Sequence, residues 1–81
     1  MNNIERLLSL DGHPLCVMNR FEKPVRVQYD RCDVKTGCFL VGAYGVGATF
    51  EDACDDYFAK ISGKTLVFNA GQENEERVRV L

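Results

Sequence analysis

Apolar residues fall at helical spacing most clearly in the second half of the chain. Phe50, Ala53, Cys54, Tyr57, Phe58 and Ile61 recur at steps of three and four, which collects them in one stripe able to lie on a sheet. Glu51, Asp52, Asp55 and Asp56 take the first turns and the opposite side, with Lys60 near the end, so the charges complement the helix dipole. Thr49 offers a hydroxyl to the first free amides, with Asp52 three residues on, and Gly63 supplies a left-handed stop. The pattern predicts a helix over residues 50–62. A shorter one is predicted at the start, where Asn2 or Asn3 caps a run in which Ile4, Leu7 and Leu8 share a face before Gly12 ends it.

Between these helices the spacing shortens to alternation. Val25, Val27 and Tyr29 alternate with Arg26, Gln28 and Asp30, as in a half-buried strand, and residues 13–18 form a short apolar candidate before it. Asp33, Val34, Lys35, Thr36 and Gly37 read as a turn leading into residues 38–41, whose nearly unbroken apolar run reads as a central strand paired antiparallel with 25–29. Gly42, Gly45 and Gly47 read as a bulge or tight turn into the long helix. Beyond that helix, residues 65–68 and 77–81 make a hairpin across the polar turn 71–76. The expected architecture is a single α+β domain over residues 1–81. An antiparallel sheet of three to five strands carries the amphipathic helix on one face, with a short N-terminal helix beside it.

Composition narrows the function. A chain of 81 residues has room for one core, and a content of 46% apolar with 27% charged residues excludes a disordered or collagen-like chain. Ten Lys and Arg against twelve Asp and Glu give a net charge of -2, which disfavours a uniformly basic nucleic-acid binder but leaves a local basic strip open. Residues 1–6 lack the basic stretch and apolar run of a secretory signal, and no segment is long and apolar enough for a bilayer, so a cytoplasmic protein without membrane contact is expected. Cys16, Cys32, Cys38 and Cys54 are too widely spaced for the usual zinc pairs, and in a reducing compartment they are expected to pack as free thiols.

Catalytic chemistry finds little support. The one histidine, His13, has no carboxylate or thiol at catalytic spacing, and alternation along a strand would point it away from Cys16. The glycines at 42, 45 and 47 lack a following Lys-Ser or Lys-Thr, and Glu51 and Asp52 would repel a phosphate there. No enzyme activity, cofactor or metal is expected. The acidic side chains of the long helix, with Glu73, Glu75 and Glu76, offer a solvated face or a mimic of nucleic-acid phosphates.

Basic residues concentrate at Arg20, Lys23, Arg26, Arg31 and Lys35. Arg26 and Gln28 share the side of their strand opposite Val25, Val27 and Tyr29, so they are placed on a sheet face that the helix leaves uncovered. Arg forks and amide groups suit phosphate or carboxylate recognition. The candidate binding residues are therefore Arg26, Gln28, Arg31, Lys35 and Tyr44. Exposed Phe39, Val41 or Tyr44 beside them would add apolar area of the kind that seals a homodimer.

Residues 40–53, reading L-V-G-A-Y-G-V-G-A-T-F-E-D-A, resemble the strand-to-helix junction of the HicB-like antitoxin fold. The resemblance implies a three-stranded antiparallel meander followed by a helix and another strand, as in the wider double-stranded-RNA-binding-like group. The whole chain also resembles small accessory proteins of bacteriophages and mobile elements, with S-G-K-T-L-V-F-N-A as its most family-like phrase. That likeness implies a noncatalytic inhibitor of a host defence macromolecule, as anti-CRISPR proteins are, or a sponge for a small anionic ligand. Partners would then be a host protein or complex and further copies of the chain. The alternative is a nucleic-acid-binding or antitoxin-type regulator using the same basic strip.

Overall fold

The computed structural model describes residues 2–10, 12–19 and 22–80. Arg20 of the basic run and Leu81 of the last expected strand lie outside them. The elements in chain order are α1 (Asn3–Leu8), β1 (Leu15–Met18), β2 (Val25–Tyr29), β3 (Cys32–Thr36), β4 (Phe39–Val41), β5 (Gly45–Gly47), α2 (Phe50–Ile61), β6 (Thr65–Phe68) and β7 (Glu76–Arg79). The α+β class holds, with every strand pair antiparallel, one long amphipathic helix and a short N-terminal one. The strands divide into two sheets where one was expected: β1-β2-β5 and β4-β3-β6-β7.

Both helices begin where the capping residues place them. Thr49 accepts from the Asp52 amide, and Asn2 accepts from the Glu5 amide. On α2, Ala53, Cys54, Tyr57 and Ile61 are buried, with Phe50 and Phe58 partly buried against the core. On α1 only Leu7 is fully buried, while Leu8 points to solvent at 60% exposure. A helix of this length docks one narrow edge, so the three-residue face expected there is reduced to Leu7 and half-buried Ile4.

Three strand expectations need correction. Residues 33–36, expected as a turn, belong to β3, whose Val34 is buried and whose Asp33 and Lys35 point the other way. Consequently β2 pairs with β1 and β5, and residues 39–41 pair with β3. The apolar run expected to be a central strand is the outer strand β4, exposed at all three residues. Finally, the glycine-rich segment forms strand β5 rather than a turn. A Cβ at Gly45 would overlap the Ala53 carbonyl oxygen and Tyr57, and one at Gly47 would overlap the Ala53 amide and Asp52. The strand therefore presses directly on the helix backbone, which only glycine allows.

The registers show how the two sheets connect. Val34 faces Val41, while Val27 faces Gly45, so residues 28–33 stand opposite the shorter segment 42–44. Strands β2 and β3 thus form one bent arm of a long hairpin, and β4 and β5 form the other. Surplus residues on one arm of an antiparallel pair bend it and increase its twist. Arg31, with φ of 52°, turns the corner in the left-handed region, and Asn69 (φ 54°) donates its amide to the Arg31 carbonyl at 2.9 Å. Inside the bend lies the core: Val25, Val27 and Tyr29 from one sheet, Val34, Leu66 and Phe68 from the other, closed by α2 and Leu7. Tyr29 donates its hydroxyl to the Leu7 carbonyl, and Tyr57 accepts the Tyr29 amide at 3.2 Å, so the two buried phenols are both paired.

Candidate functional site

Alternation along β2 turns Arg26 and Gln28 away from α2, and the registers set their neighbours. Met18, Arg26 and Val46 form one row across the outward face of the three-stranded sheet, and Cys16 with Gln28 forms the next. The Arg26 guanidinium lies over the Tyr44 ring at 3.9 Å from its centroid. Its Nε is buried without a hydrogen-bond partner among the described residues. A buried charged donor left unpaired costs the fold free energy, and the face of the Tyr44 ring is the guanidinium's neighbour there.

The long helix fixes Tyr44 from the other side. Lys60 donates to the Tyr44 carbonyl at 2.9 Å, and Asp56 accepts the Val46 amide at 2.9 Å while pairing with Lys60. The Val46 hydrogen bond, followed by Lys60, holds the Asp56 carboxyl below its ordinary range. Part of the acidic helix face is therefore structural: Asp56 anchors β5, and Asp55 accepts from the Asn3 amide group.

Beside this face, at the bend of the hairpin, opens a cleft of about 660 Å³. Gln28, Arg31 and Asp33 line it from one arm and Tyr44 from the other, and Asn69 and Gln72 close it from the β6–β7 loop. Four of the five expected binding residues thus converge: Gln28, Arg31 and Tyr44 in the cleft, and Arg26 stacked on Tyr44. Lys35 does not join them. It sits on the outward face of the four-stranded sheet, in a row with Thr65 and Arg79 and next to Arg77. This second basic row escaped the sequence reading, although the alternation of Arg77 and Arg79 around Val78 carries it; only the β3–β6–β7 pairing brings it beside Lys35. Asn69 and Gln72 were missed as loop residues without a motif.

The remaining candidates have structural roles. His13 stacks on Phe68 with centroids 3.7 Å apart and hydrogen-bonds Glu76 at 2.7 Å, which ties the start of β1 to β7. All four cysteines are free; Cys54 is buried, Cys16 and Cys32 partly so, and Cys38 is exposed in the β3–β4 turn. Burial pushes the Cys32 thiol up to about 12 and the Cys54 thiol up to about 11, so both are protonated at neutral pH. The same desolvation raises Tyr29 to about 12 and raises Tyr57 as well.

A comparison with known protein families, curated proteins and solved structures finds no match. Among the described residues no helix is long and apolar enough to cross a membrane.

Proposed function

We propose that this is a noncatalytic binding protein, of the phage accessory kind its sequence resembles, that occludes a surface of a host macromolecule and works as an assembly of copies. The observation that carries the reading is the Arg26–Tyr44 stack, set on a sheet face that α2 leaves uncovered, with Tyr44 and Met18 exposed. Arginine and aromatic side chains presented together on a rigid sheet are the groups that dominate protein–protein contacts. A protein is the favoured partner, because Met18 and Val46 add apolar area that a phosphate backbone would not use.

The test compares the chain with its Arg26→Glu and Tyr44→Ala variants as bait in a lysate of its source cells, with co-purifying molecules identified by mass spectrometry. One protein held by the parent chain and lost from both variants, at unchanged circular dichroism, is the expected result. Equal retention by all three overturns the reading.

Lys35 and Arg79 in one row, with Arg77 in the adjoining row that also holds Val67 and Asp33, favour a second reading as a nucleic-acid-binding regulator. Its mark is salt: neutralising three phosphates makes affinity for a DNA or RNA probe fall by roughly twenty- to forty-fold between 50 and 200 mM salt through counterion release, whereas an apolar protein contact changes little.

A further inference from the structure

Strand β4 is an element that the proposed contact face does not use. Phe39, Leu40 and Val41 are 74%, 45% and 50% exposed, and they form the outer strand of the four-stranded sheet. Folded chains commonly guard such an edge with charge, proline or a bulge. The opposite edge of the same sheet obeys, since β7 carries Glu76, Arg77 and Arg79. At β4 the charged guard is missing, because residues 36–44 contain no charged side chain, and only the shortness of the three-residue strand limits its pairing.

The backbone at this edge is also oriented for pairing. Gly37 and Cys38 form a two-residue turn that closes Thr36 on Phe39. Such a turn closes on the pair that exchanges both ladder hydrogen bonds, so by alternation the N–H and C=O of Leu40 point away from β3, toward the open edge.

We propose that β4 pairs antiparallel with β4 of a second copy about a two-fold axis at Leu40, joining the two four-stranded sheets into one. Leu40 exchanges both backbone hydrogen bonds with its counterpart, and Phe39 of each copy lies across from Val41 of the other. An isologous contact needs a surface complementary to itself, and an uncharged apolar strand with its free donor and acceptor on one residue meets that condition. Residues 36–44 offer no charge by which a different protein would be selected. Met18 and Arg26, on the other sheet, take no part. The inference rests on the reading of the protein as an oligomeric binder only for its purpose. Three residues make far less than the roughly 800 Å² a side of a standard interface, so the pair is weak and its formation depends on concentration.

Sedimentation velocity on the full chain, from low to high micromolar, tests this. The mass is expected to move from 9.1 kDa toward twice that value. Leu40→Lys and Leu40→Glu each hold the chain at the monomer mass with unchanged circular dichroism, and mixing the two restores the pair because opposite charges then meet at the axis. Phe39→Lys, at the most exposed position of the strand, gives the same loss if a Leu40 variant folds poorly. A chain that stays at 9.1 kDa throughout, a pair that survives Leu40→Lys, or a mixture that does not re-form it overturns the proposal. A monomer whose Arg26→Glu variant loses a protein partner overturns the pairing alone; a two-fold pair with no partner overturns the contact-face reading alone.

Discussion

Gly45 shows what a single position demands in this chain. The atoms that a side chain there would meet are helix backbone, the Ala53 carbonyl and the Tyr57 amide, which cannot rotate aside. Gly45→Ala is therefore expected to cost at least the roughly 1–3 kcal/mol of core overpacking, read from the midpoint of urea unfolding. Gly42→Ala is the control: its nearest neighbour, Asp33 Oδ1, would lie 4.0 Å away, and the change should stay within about 0.5 kcal/mol. Equal effects at the two sites would show that β5 does not press on the helix. Gly45 and Gly47 were visible in the sequence, but a glycine at every second position reads as a turn unless it is seen as a strand face with its side chains removed. Arg26 and Gln28 were legible because alternation alone sets their direction, whereas Tyr44 meets Arg26 only through tertiary packing.

The element read best was α2, whose cap, stripe and stop act within one short segment and need no distant partner. Its link to β5 runs through Asp56, whose carboxyl is held below the ordinary 3.8 by the Val46 amide and then by Lys60. A folded-state value below the unfolded one means stability that is present above about pH 3.8 and is lost as the pH falls through the depressed folded value. Asp56→Asn should thus lower the thermal midpoint at pH 6, and the gap from the parent chain should close as the pH is taken from 4 toward 2. A gap that stays constant over that range would show that the carboxylate's charge is not what joins the elements. Strands β3 and β4 were misread for complementary reasons. Asp33, Lys35 and Gly37 have turn composition although the first two are only the outward half of a strand, and the apolar run of β4 signals burial that the sheet order denies it.

Across the whole molecule, the class was legible and the division into two sheets was not, because the bend depends on which strands pair. Both arms of the long hairpin pass from one sheet to the other, and Tyr29, Phe68 and Tyr57 meet inside it. With one core shared, the sheets are expected to unfold together: far-ultraviolet circular dichroism and tyrosine absorbance should trace one superimposable transition in urea. Two separated transitions would show that each sheet stands alone. The candidate site has the same origin, since the cleft exists only where residues 28–33 outnumber residues 42–44 across the hairpin. The surplus residues that open the gap are the ones that bend the arm, so the cleft and the turn of one sheet away from the other share a single cause in the chain: trimming residues 28–33 to the length of the facing arm would remove both together.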